Sequence, residues 1–120
     1  NLKPMTKNVK AVREAIRKCE IDAYIISASL NDRTDCDKRR WLNRYIPEID
    51  MSHVIMVRIG ENKAYHMQTE YGCLFDDYNR NIMEWCLHKL GHNRAVRIKR
   101  DGDVADGLKA VRVLKNIVLN

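Results

Sequence analysis

The chain has no long apolar run, no glycine-rich phosphate turn, no paired-cysteine spacing and no aspartate between Asn1 and Cys19. Most of these absences remove a class of protein. A bilayer-spanning helix needs about 20 consecutive apolar residues, and no stretch approaches that length; Asn1-Leu-Lys-Pro4 does not have the character of a signal peptide either. A dinucleotide fold carries Gly-x-Gly-x-x-Gly after a strand, and the chain has no such turn. Cys19, Cys36, Cys73 and Cys86 form neither a Cys-x-x-Cys pair nor the framework of a small secreted domain, so reduced thiols in a cytoplasm are expected. Internal repeats, low-complexity tracts and interdomain linkers are missing too.

What remains is an ordinary globular composition. At 120 residues there is enough chain for one domain with a proper core and too little for two. Hydrophobic residues at 45% and charged ones at 32% fit that class. The formal charge of +6 sets up a field that attracts anions, whether nucleotides, sugar phosphates or nucleic acid. The clusters Lys38-Arg39-Arg40 and Arg97-Ile-Lys-Arg100 are short, have acidic neighbours, and come with no aromatic-basic motif of a nucleic-acid fold. A solvated charged face explains them better, and a basic, non-catalytic binding module is the secondary reading.

Elements alternate along the chain. Val9, Val12, Ile16 and Cys19 recur at helical spacing behind a capping Thr6. Ala23-Tyr-Ile-Ile-Ser27 is a continuous apolar run suited to a buried parallel strand. Asn31 to Asp37 reads as a polar loop, and Lys38 to Tyr45 as a helix closed by Pro47. His53 to Val57 is a second strand, Tyr71 to Phe75 a third, and Ala95 to Ile98 a weaker one suited to a sheet edge. Asn79 to Leu90 is a helix with Gly91 at its C-terminal cap, and a last helix is expected from Val104 to about Val118, burying Leu108, Val111 and Leu114. This alternation predicts an α/β fold: a Rossmann-like three-layer α/β/α sandwich around a mostly parallel sheet, in a single domain over residues 1–120.

Ligands of such sheets bind at the carboxyl ends of the strands. Ser27 ends the first strand, Lys63 lies beyond the second, and Asp76-Asp77 end the third, so all would meet on one rim. A hydroxyl and an ammonium there can hold phosphate oxygens. Two adjacent carboxylates repel unless a cation lies between them, and Mg²⁺ is the natural candidate. Each residue also has a plainer reading: Ser27 a small strand-ending residue, Lys63 and Lys38 solvated lysines, Asp77 a helix cap. Capping accounts for one aspartate more comfortably than for two. Asn79 and Asn81 are expected to organise the turn after the pair, and Trp41, Tyr45 and Trp85 to pack in the core. His88 and His92, with Gly91 between them, have no third ligand at a zinc spacing.

Taken together, Tyr24-Ile-Ile-Ser-Ala28, Asp37-Lys-Arg-Arg-Trp-Leu42, Asn62-Lys-Ala64, Cys73-Leu-Phe-Asp-Asp-Tyr-Asn-Arg-Asn81 and Glu84-Trp85 resemble the haloacid-dehalogenase superfamily of phosphohydrolases, in the branch containing 5'(3')-deoxyribonucleotidases. That resemblance implies Mg²⁺-dependent hydrolysis of a small phosphomonoester through an aspartyl-phosphate, with a nucleotide or deoxynucleotide the first substrate to try. It makes Ser27 the hydroxyl on the transferring phosphoryl group, Lys63 the lysine that neutralises nucleophile and phosphate, and Lys38 a further phosphate-facing lysine. Asp76 and Asp77 become the Mg²⁺ site.

The family's nucleophile motif, Asp-x-Asp-x-Thr after an apolar strand, is not in the chain: nothing before Ser27 can fill it. The resemblance places that strand between the ones at 23–27 and 71–75, so the sheet is expected to lack its central strand. The simplest expectation is that the chain is the C-terminal part of a longer polypeptide, inactive by itself. Complementation by another chain, a degenerate relative, or a permuted enzyme using Asp101-Gly-Asp103 are the alternatives.

Overall fold

Strand β1, Asp22–Ser29, sets the layers. Successive side chains on a strand point to opposite faces. Ala23 and Ile25 accordingly join one hydrophobic cluster with Val12, Leu42 and Val104, while Ile26 joins a second with Val57, Leu74 and Trp85. A strand buried on both sides must be covered on both sides, which yields a three-layer domain. The computed structural model describes residues 5–66, 72–88, 94–110 and 116–119.

The remaining elements are α1 (Thr6–Arg17), α2 (Asp32–Tyr45), β2 (Val54–Arg58), β3 (Cys73–Asp76), α3 (Asn79–Leu87), β4 (Arg94–Arg97), α4 (Asp103–Ala110) and β5 (Asn116–Leu119). A short 3₁₀ turn, Lys63–His66, lies between β2 and β3. The five strands are all parallel, in the order β2-β1-β5-β3-β4. β1 to β2 and β3 to β4 step outward in opposite directions, so crossovers of one hand must place their helices on opposite faces. They do: Leu42 of α2 packs with Ile25 and Phe75, and Trp85 of α3 packs with Ile26 and Leu74.

The middle of the sheet corrects the sequence-based expectation. No strand is missing there, because β5 lies between β1 and β3, with Leu119 in register with Ile25 on one side and Phe75 on the other. Ile117, Val118 and Leu119 are 0%, 0% and 7% exposed, and they alternate between the two clusters. An apolar run this short has no periodicity that separates a buried strand from a buried helix. That is why the expected helix from 104 to 118 is in fact α4 followed by a strand; Val111 and Leu114 lie outside the described residues.

Other boundaries shift for local reasons. The polar stretch expected as a loop is the first half of α2, where Asn31 accepts from the Thr34 amide at 3.0 Å and caps the helix. Thr6 does not cap α1; the Asp101 carboxylate does so from across the fold, accepting from the Lys7 and Asn8 amides at 3.1 and 2.9 Å. Helix α3 is observed to Leu87, and Leu90 and Gly91 lie outside the described residues. β4 is an edge strand, as expected. Gly107 lets α4 approach the sheet: a Cβ there would lie 2.8 Å from Phe75 Cε2 and 2.9 Å from Val96 Cγ1. No helix among the described residues is long and apolar enough to cross a membrane.

Ile117→Ala tests the central placement of β5. Truncating a core isoleucine costs about 2–5 kcal/mol, so urea unfolding should show a loss in that range. A loss below about 0.5 kcal/mol, the size of a surface substitution, would contradict it.

Candidate functional site

On β1 the side chains of Ile25, Ser27 and Ser29 share the face that carries α2. Ser27 is 9% exposed, and Lys38, on the inner side of α2, donates from Nζ to Ser27 Oγ at 2.9 Å and to the Ala28 carbonyl. Burial depresses the pKa of Lys38, the Lys63 ammonium depresses it further, and Asp35 offsets part of the effect. Lys38 therefore senses the Lys63 ammonium.

Lys63 and Asp76 form the second pair. Lys63 Nζ donates to Asp76 Oδ2 at 2.9 Å, with the residues 3% and 1% exposed. Asp76 also accepts from the Tyr78 amide at Oδ1 and from Asn81 Nδ2 at Oδ2, both at 3.0 Å. Burial alone would raise the Asp76 pKa, but the hydrogen bond and charge of Lys63, with help from Tyr78 and Asn81, hold it below the ordinary value. Asn81 thus organises this turn, as expected, whereas Tyr78 caps α3 without a side-chain hydrogen bond.

These pairs flank one point. Ser27 lies just past Ile25 on β1 and Asp76 just past Phe75 on β3, and both Ile25 and Phe75 are in register with Leu119 of β5. Two inter-strand spacings, about 10 Å, separate the flanking backbones. Ser27, Lys38, Lys63 and Asp76 are thus brought to one rim, and Asp77 adjoins them with its side chain exposed.

Carboxylate donors for a divalent ion are few at this rim. Among the described residues, no group of three or more His, Cys, Asp or Glu side chains converges to form a metal cage. Mg²⁺ does not require one, because it keeps several waters and is held by one or two carboxylates plus substrate phosphate. The carboxylates at this rim are Asp77, which is exposed, and Asp76, which is buried and whose oxygens already accept from Tyr78, Lys63 and Asn81.

A further network was not legible in the sequence. Arg58, which ends β2, donates from Nη1 to Ser29 Oγ at 2.9 Å and to Asp35 Oδ1 at 3.0 Å, and from Nη2 to Asp32 Oδ1 at 2.7 Å. Ser29 also hydrogen-bonds Asp35, and that bond, with Arg58, lowers the Asp35 pKa. The network ties the first turn of α2 to the ends of β1 and β2, one turn before Lys38. Acids near a helix start and a strand-ending arginine were its only sequence signals.

The basic cluster is dispersed by the fold. Lys38 turns inward, Arg39 donates to the Val54 carbonyl at 3.3 Å, and Arg40 lies 3.8 Å from Asp37. In Asp101-Gly-Asp103, the first carboxylate caps α1 and the second accepts from the Lys99 and Arg100 amides at 2.8 and 2.9 Å. Both have structural duties, which disfavours the permuted-nucleophile alternative. Trp85 is core, 1% exposed, and Trp41 packs on Tyr45 at 4.9 Å. His88 packs edge-on against Tyr65, and His92 lies outside the described residues. Burial pushes the Cys73 thiol up to about 12, against the pull of Arg94, so it is no nucleophile at neutral pH.

No protein-family model matches the chain, and no curated protein or solved structure matches it.

Asp76→Asn leaves the Lys63 ammonium buried opposite a neutral amide, a loss of about 3–5 kcal/mol at pH 7. The folded-state pKa of Asp76 is depressed, so its stabilisation is present above about pH 4 and is lost as pH falls through the folded value. The stability gap between wild type and Asp76→Asn, from urea unfolding, should therefore narrow at acid pH. A gap independent of pH would be inconsistent with an ionised Asp76.

Proposed function

We propose that this rim is a phosphoryl-binding site of the haloacid-dehalogenase type, used with Mg²⁺ on a small phosphomonoester, with a nucleotide the first ligand to try. The observation that carries the reading is the pairing of Lys38 with Ser27 and of Lys63 with Asp76 on either side of the β5 carboxyl end. The Lys63 ammonium lies close enough to act on Lys38, and an anion between them offsets that repulsion. The charges also balance. Two lysines offset Asp76 and Asp77, and a phosphate dianion arriving with Mg²⁺ adds no net charge.

In this reading Ser27 Oγ and Lys38 Nζ turn towards phosphate oxygens, and Lys63 holds Asp76 ionised while adding positive potential. Asp76 and Asp77 would hold Mg²⁺, which supplies electrostatic stabilisation to the phosphoryl oxygens when bound. The position where that family carries its nucleophile strand is held here by β5, which these pairs flank.

A second reading, binding without turnover, is favoured by the residues in that slot. Asn116-Ile-Val-Leu119 carries no carboxylate to attack phosphorus. The chain would then sense or hold a phosphoester without cleaving it. Release of nitrophenolate from p-nitrophenyl phosphate separates the two: turnover supports hydrolysis, and saturable binding without release supports the sensor.

Inorganic phosphate with Mg²⁺ is expected to raise the melting temperature of the full chain, approaching about 2.7 kcal/mol of stabilisation at 100 times Kd. Lys38→Met should remove most of that response. Because Lys38 titrates below its ordinary value of 10.5, the phosphate response should decline on the alkaline side before pH 10.5, and Lys38→Arg should move that limb upward. No response at any pH would refute the site.

A further inference from the structure

A cleft of about 460 Å³ opens on the α1–α2 face of the sheet, next to the paired lysines. Ile25 and Phe75 form its floor, Val9 and Trp41 its walls, and Asp76 and Asp77 close it at the carboxyl end of β3. It shares Asp76 with the phosphoryl rim, and two periodicities bring its other lining residues next to that rim. Ile25 precedes Ser27 on the same face of β1, and Leu42, which also lines the cleft, follows Lys38 by about one helical turn.

The cleft has room for one small organic group. Sites for small molecules run to about 300–1,000 Å³, and the cleft falls in that range. Its lining is mainly apolar, so a polyhydroxylated sugar would lose hydration there with little in return. Asn8, a polar group in the wall, is already committed: its Oδ1 accepts from the Gly102 and Val104 amides at 2.8 and 3.1 Å, and its Nδ2 donates to the Arg100 carbonyl at 3.2 Å. The indole of Trp41, which also packs on Tyr45 at 4.9 Å, lines the cleft with an apolar aromatic surface.

The geometry points to an aryl subsite: the cleft takes the planar organic group of a phosphomonoester whose phosphoryl group lies between Ser27–Lys38 and Lys63–Asp76. This rests on the phosphoryl reading above and goes beyond it by naming the class of group that is esterified. The ligand is then an aromatic phosphate, which narrows the phosphomonoester of that reading and displaces a nucleotide, whose phosphate is esterified to a sugar, as the first ligand to try.

Two non-hydrolysable probes separate subsite from rim. Methylphosphonate presents the anion alone, and 4-nitrobenzylphosphonate adds a ring that quenches a tryptophan it touches. With the full chain and Mg²⁺, the nitrobenzyl compound is expected to bind at least about tenfold more tightly, the equivalent of about 1.4 kcal/mol, and to quench fluorescence. Quenching should vanish in Trp41→Phe, since the remaining Trp85 is buried in the opposite cluster. Val9→Phe, which narrows the cleft, should shrink the affinity ratio between the probes, with circular dichroism checking that the variant folds. Equal binding of the two probes, or quenching that persists in Trp41→Phe, overturns the subsite and leaves the phosphoryl reading standing. Failure of both probes to bind overturns both.

Discussion

A lysine and an aspartate with almost no solvent between them lie at the end of the third strand, and the local chemistry follows from that pair. Neither charge is tolerable alone in a buried position, because desolvation costs several kcal/mol per ion and is recovered only through close, well-bonded geometry. Lys63 and Asp76 meet that condition at 2.9 Å, with Tyr78 and Asn81 supplying further donors to the carboxylate. The pair holds the 3₁₀ turn before β3 against the turn after it. It also keeps Asp76 ionised and supplies the positive charge that Lys38 feels across the rim.

Stability and proposed function are coupled through these same atoms. A surface ion pair is screened and contributes little, but this one lies inside the domain where its field persists. The second pair is built differently. Lys38 reaches Ser27 from a helix whose first turn is fastened by Arg58, Asp35 and Ser29, so its position depends on contacts from two strands. One side of the rim is thus rigid and charge-compensated, and the other carries a cation whose charge is held at some cost. An anion arriving between them would gain most from the second.

Much of the layered architecture was legible because it depends on local pattern. The apolar run at Ala23–Ser27, the helical spacing in α1 and the strand ending in Asp76 each carry their own signal. The candidate site was legible for the same reason, since residues at strand ends in a parallel sheet share a rim whatever the strand order. The order itself was not legible. Ile117-Val-Leu119 reads equally well as the tail of a helix, and only pairing with β1 and β3 makes it the central strand. The polar start of α2 reads as a loop because an exposed helix turn has no apolar stripe, and Asn31, its cap, is the sequence signal for the helix. Ser29, Asp35 and Arg58 meet only through the fold.

The most direct measurement is a high-resolution crystal structure of the full chain soaked with tungstate, a tetrahedral oxyanion with strong scattering. The anion should lie beyond the carboxyl end of β5, with oxygens about 2.7–3.2 Å from Ser27 Oγ and Lys38 Nζ, and with Lys63 still paired to Asp76. Tungstate bound elsewhere while this rim stays empty, or Lys63 turned away from Asp76, would contradict the assignment of this rim as a phosphoryl site.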